Sequence, residues 1–170
     1  MNINQLLVEV FGRVSGHVHG AVEGLGPDDL VAAPASGTNP IGWLIWHLTR
    51  VQDHHISQIL DRDQVWVEGD WANGFGLDPD PDNTGYGHGP EEVAAVRPAS
   101  AEVLVGYYEA VEARTMQLIA ATTEADLDRV VDRRWDPPVT LGVRLVSIAD
   151  DDIQHAGQAA YVRGLLDPRP

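Results

Sequence analysis

The chain has 170 residues, 44% of them hydrophobic, and carries 26 Asp+Glu against 11 Lys+Arg for a formal charge of -15. That charge repels phosphate backbones and anionic lipid, which excludes nucleic-acid binding through a basic surface, and no apolar run approaches the roughly 20 residues of a membrane span. Cysteine is absent, so disulfides, thiolate metal sites and cysteine nucleophiles are excluded as well. All 11 cations are arginine. A single domain over residues 1–170 with a self-sufficient core is expected. The amino terminus lacks a basic leader and Glu9 interrupts its apolar stretch, so a soluble cytoplasmic protein is expected.

Ile3, Leu7, Val10, Val14, His17, Ala21 and Leu25 recur at steps of four and three. This spacing predicts a first helix with those side chains on its core face. Gly24, Gly26 and Pro27 stop it, and Pro27–Leu30 reads as one helical turn. Asn39-Pro40 reads as an N-cap followed by proline at the first helical position. The second long helix then runs through IGWLIWHLTRVQDHHISQIL.

Residues 63–98 form a connection longer than compact domains usually tolerate without structure. They hold Trp66, Trp71, Phe75, Tyr86 and His88 among many glycines, prolines and aspartates. An ordered crossover pinned by these aromatics is expected, with a solvated flexible loop as the alternative. The Gly85–Gly89 run matches no phosphate-binding fingerprint.

A third helix follows Pro98, with Ser100 as N-cap and Val103, Leu104, Tyr107, Val111, Leu118 and Ile119 as its buried stripe. Thr123 then caps a short turn through TEADLDRVVD, with Asp126 at the capping-box position. After Pro137-Pro138, Thr140 caps the fourth long helix, which runs to near Gly164. No useful period-2 run appears. The predicted fold is all-α, a four-helix bundle with a long crossover between its second and third helices.

Without cysteine, a metal ion needs His, Asp or Glu, and two ligands on one helix must stand at i,i+3 or i,i+4. Asp151 and His155 satisfy the second spacing, and Asp152 and His155 the first. His47 and His54 are seven residues apart, about 10 Å along a helix, and cannot share an ion by themselves. A site must therefore join the second and fourth long helices. His47, inside the block Trp43-Leu-Ile-Trp46 and Leu48, is the stronger partner for His155, whose stripe Ile148, Ala159 and Val162 faces inward. Two imidazoles and a carboxylate leave an open coordination position, as catalytic zinc or nickel sites do.

A plain Asp151–His155 ion pair is the simpler alternative, and either Asp151 or Asp152 could point inward. A di-iron centre needs a second Glu-x-x-His that is missing here. His17 is placed on the core stripe, as a satisfied or supporting histidine. His19, His54, His55 and His88 are expected at the surface or rim. No Gly-x-Ser-x-Gly elbow exists.

Asn39-Pro-Ile-Gly-Trp-Leu-Ile-Trp-His47-Leu and Asp151-Asp-Ile-Gln-His155-Ala-Gly-Gln158-Ala-Ala-Tyr161-Val-Arg163 resemble the DinB/YfiT-like superfamily. The likeness is strongest to its actinobacterial branch, related to the metal-binding domain of mycothiol-dependent maleylpyruvate isomerase. The resemblance implies a four-helix bundle, commonly a homodimer, with a divalent metal held by one histidine of the second helix and a His-x-x-x-His pair of the fourth. Carried over by position, these are His47, Asp151 and His155, with Asp151 departing from the usual histidine. Gln158 and Arg163 also match the pattern, without an assigned role. The implied activity is thiol S-transfer or isomerisation of a small molecule, with mycothiol as cosubstrate. A metal-free dimeric bundle that binds a small ligand or serves a structural role is the alternative.

Overall fold

The computed structural model describes residues 1–166, and these are mostly helical. In chain order the elements are α1 (Ile3–Val22), α2 (Pro27–Leu30), α3 (Ile41–Leu60), α4 (Val65–Glu68), α5 (Trp71–Gly74), α6 (Pro90–Ala95), α7 (Ala101–Ala121), a 3-10 turn (Glu124–Asp128), β1 (Val130–Asp132), β2 (Val139–Thr140) and α8 (Leu141–Leu166). The long helices α1, α3, α7 and α8 close a ring in which α3 and α1 each pack against both α7 and α8. No helix among the described residues is long and apolar enough to cross a membrane.

Local chemistry sets the helix ends. Asn2 accepts from the Gln5 N–H while the Gln5 side chain accepts from the Asn2 N–H, a reciprocal cap for α1. Pro40, not Asn39, is the N-cap of α3. Ser100 caps α7, and Asp126 accepts from both the N–H and the hydroxyl of Thr123.

The buried face of α1 is Leu7, Phe11, Val14, Val18, Ala21 and Val22. It is turned by about one residue from the expected stripe, because the large Phe11 ring takes the inward position. His17 is consequently exposed rather than on the core face. The short β1–β2 pair is antiparallel and was not expected: strands of three and two residues are too brief to show alternation.

The 63–98 connection is ordered. Trp66 and Phe75 are fully buried, Trp71 packs on Tyr107, and Tyr86 stays exposed. Its backbone is tied by Arg97 N–H to Phe75 C=O and Ala99 N–H to Gly74 C=O. Asp53, buried in α3, accepts from the N–H groups of Val65 and Trp66 and from the Tyr107 hydroxyl. An anionic oxygen thus satisfies the otherwise open N–H groups at the start of α4. Arg114 of α7, also buried, pairs with Glu68 at 2.6 Å and donates to the Asp63 carbonyl. These contacts pin residues 63–68 against α3 and α7.

Candidate metal centre

His47 lies on the inward face of α3, 6% exposed. Its ring stacks on Trp43 at 4.6 Å, which fixes its plane. Nδ1 lies 2.6 Å from the Thr84 carbonyl oxygen. A carbonyl only accepts, so Nδ1 carries the proton and Nε2 keeps its lone pair. Burial pulls the His47 pKa down to about 4, against the carbonyl contact, which raises it, and with His155 and His88 lowering it further. The imidazole is therefore neutral near pH 7, as a metal ligand must be.

On α8, the i,i+4 spacing brings His155 Nε2 within 3.6 Å of Asp151 Oδ1. His155 Nδ1 donates to Gln158 Oε1 at 3.0 Å, which leaves Nε2 turned toward Asp151. The role left unassigned to Gln158 is thus visible as an orienting contact. Arg163 donates to the Ala21 carbonyl and ties α8 to the end of α1. The rings of His47 and His155 meet edge-to-face at 4.7 Å.

One donor atom from each of His47, Asp151 and His155 lies within 4.8 Å of the other two. Two donors each about 2.1 Å from a tetrahedral ion stand about 3.4 Å apart, so ligation needs these separations to close by up to about 1.4 Å. Asp151 Oδ2 is buried and has no hydrogen-bond partner among the described residues. Burial raises the Asp151 pKa while His155 lowers it. An orphaned buried carboxylate oxygen beside two imidazoles is a donor set that fits a divalent cation.

Asp152 does not share this site. It is fully buried on the adjacent face of α8, both carboxyl oxygens lack partners among the described residues, and burial pushes its pKa up. The phase of α8 thus separates two carboxyls that spacing alone left interchangeable.

His47 and Asp151, but not His155, line a cleft of about 510 Å³ together with Val51, His54, His55, Asp82, Thr84, Tyr86 and Ser147. A larger depression of about 810 Å³ lies between the residues before and at the start of α1 and the end of α7. It contains none of these donors. Among the described residues, the remaining histidines offer no donor atom to the cluster. His19 pairs with Glu109 at the surface, and His54 is contacted by Gln64. His88 stacks on Trp46 and accepts from Trp43 Nε1, with its other nitrogen at Asn83.

His55 packs against Arg144, whose other terminal nitrogen pairs with buried Asp132. Burial, with Arg144 as the next cause, lowers the His55 pKa to about 3. The folded state therefore binds fewer protons than the unfolded chain between pH 6.5 and about 3. Stability present above pH 6.5 is lost as pH falls through that window. His55→Gln is expected to flatten this acid loss, read as a smaller drop in Tm between pH 7 and pH 5 than in the wild type.

Sequence reasoning did not find Thr84, Gly85, Arg50 or Asp53. Thr84 acts through its carbonyl, which no side-chain pattern announces. Arg50 and Asp53 carried a signal: charged residues inside an apolar helix that is buried almost all round must have partners.

The family model for mycothiol S-transferase, MST, matches residues 6–168. A crystal structure of a conserved protein from Enterococcus faecalis is similar at 33% identity and a TM-score of 0.90, over 99% of each chain. The comparison with curated proteins gives no match.

Proposed function

Since the chain belongs to the mycothiol S-transferase family, we propose that it joins the sulfur of a low-molecular-weight thiol, mycothiol, to a small electrophile at a divalent ion held by His47, Asp151 and His155. The observation that carries this reading is the convergence of two imidazoles and a carboxylate with an unpartnered oxygen, beside a cleft that His47 and Asp151 line. Zinc or nickel suits two imidazoles and a carboxylate. When bound, the ion lowers the pKa of a thiol brought to it and so makes thiolate available near neutral pH.

The chain's own residues prepare the centre. Thr84 and Gln158 orient the two imidazoles, and Trp43 fixes the His47 ring plane. The cleft walls of α3, the 82–86 segment and α8 restrict where the electrophile can sit relative to the sulfur. Asp151 adds a negative charge where the family pattern has a neutral imidazole. The ligand set with a divalent ion then carries +1 rather than +2, so thiol activation is weaker than at a three-histidine centre.

The same reading takes the four long helices as a DinB-like four-helix bundle and residues 1–170 as a single domain. It places the protein, as a homodimer, in the cytoplasm, where small thiols are kept reduced.

The test is conjugation of mycothiol to an alkylating electrophile, followed as loss of free thiol. Zinc- or nickel-loaded protein is expected to accelerate it, and chelated protein is expected to fall to the uncatalysed rate and recover on metal return. A rate indifferent to metal removal, or no acceleration by the loaded protein, contradicts the proposal. Ligand binding without conjugation would favour the small-ligand-binding alternative.

A further inference from the structure

Arg50 stands three residues after His47 on α3 and is fully buried. Its guanidinium lies over the Trp66 ring at 4.8 Å. Its donors are spent mainly on one stretch of backbone. Nε donates to the Asn83 carbonyl at 3.0 Å, and Nη2 donates to the carbonyls of Pro81 at 3.0 Å and Asp80 at 3.4 Å. Nη1 reaches Gln64 Oε1 and the Tyr107 hydroxyl, while Asp53 balances the charge at 3.6 Å. Gln64 in turn donates to the Pro81 carbonyl. The next residue along this gripped stretch is Thr84, whose carbonyl meets His47 Nδ1.

We infer that Arg50 is a positioning residue for the metal centre: by gripping the backbone of residues 80–83 it holds the Thr84 carbonyl against His47 and so keeps the ring proton on Nδ1. With the proton on Nε2 instead, that nitrogen would be a donor with no lone pair and could not ligate. The planar fork of arginine spans carbonyls of residues three apart, which a lysine ammonium on a flexible stem does not reproduce. A buried cation serving only the fold could be exchanged, with its partner, for apolar packing. One whose donors fan out over three nearby carbonyls sets the path of a loop.

The inference rests on His47 being a ligand, and the test separates the two. In metal-free, nitrogen-15-labelled full-length protein near neutral pH, the His47 ring is assigned by difference from a His47→Gln spectrum. The wild type is expected to show one tautomer, protonated at Nδ1. Arg50→Lys is expected to show a mixture, with zinc affinity by chelator competition weaker by about tenfold, the low end for losing an outer-shell contact. A folded Arg50→Lys protein with the wild-type tautomer and zinc affinity within about twofold overturns the role, as does a wild type protonated at Nε2. Should Arg50→Lys not fold, Gln64→Met decides: it removes one carbonyl anchor from the partly exposed side, and an unchanged His47 ring counts against the inference. A wild type that binds no zinc would instead overturn the ligand assignment, while the tautomer comparison still decides the role of Arg50.

Discussion

His155→Ala is expected to abolish tight metal binding while leaving the helices in place. The side chain is only partly buried, and alanine is the best helix former, so little folding energy is at stake. The loss of one of three donors should exceed the 10–100-fold cost, roughly, of losing an outer-shell partner. Thermal unfolding reads this directly. An ion at about 1,000 times its Kd stabilises the native state by about 4.1 kcal/mol. For a chain of this length that is a rise in Tm of roughly 8–16 °C. Wild-type protein should show the rise with zinc or nickel, and His155→Ala should show almost none at the same concentration, with an unchanged circular dichroism spectrum.

Gly85→Ala is expected to damage the same centre from the loop side. Gly85 has φ +88, a left-handed conformation that costs a residue with a Cβ about 1–2 kcal/mol. The added carbon would also lie 2.7 Å from His47 Nδ1 and 2.8 Å from Trp46 Cζ3. Neither neighbour yields easily, since His47 is stacked on Trp43 and Trp46 is fully buried. The backbone must move away, taking the adjacent Thr84 carbonyl off the ring. Metal affinity should fall by roughly 10–100-fold, the range for outer-shell losses, and Tm of the metal-free protein should fall as well. Gly87→Ala is the control: φ is +78 there, but the added Cβ meets no atom within 4 Å. It should lose stability and keep its metal affinity.

The long helices were legible because their signals are local. Ser100 caps α7 as its sequence announces, and the run from Ile41 is apolar enough to leave little doubt about α3. Phase was harder. In α1 two overlapping stripes compete, and the volume of Phe11, which periodicity does not weigh, turned the helix and sent His17 to solvent. The β1–β2 pair is a tertiary product: Asp132 is drawn inward by Arg144 from α8, a contact with no local trace.

At the candidate centre, the i,i+4 pair of α8 and the lone histidine in an apolar block could be read from spacing. The choice between Asp151 and Asp152 could not, because a single residue of helical phase separates the cleft wall from the sealed interior. Nor could the segment at residues 80–85, whose contribution is a carbonyl oxygen and an absent side chain. Those belong to the path of the backbone, which Arg50 grips from α3, at least 30 residues away in sequence.

Metal content per chain tests the account most directly. The full chain, produced without a histidine tag, is incubated with zinc or nickel, desalted, and weighed intact by native mass spectrometry beside the His47→Ala/His155→Ala double variant. One divalent ion per wild-type chain and none in the variant is the predicted result. A wild-type chain that emerges bare, or a variant that retains an equal load, would contradict the claim that these three side chains close on one cation.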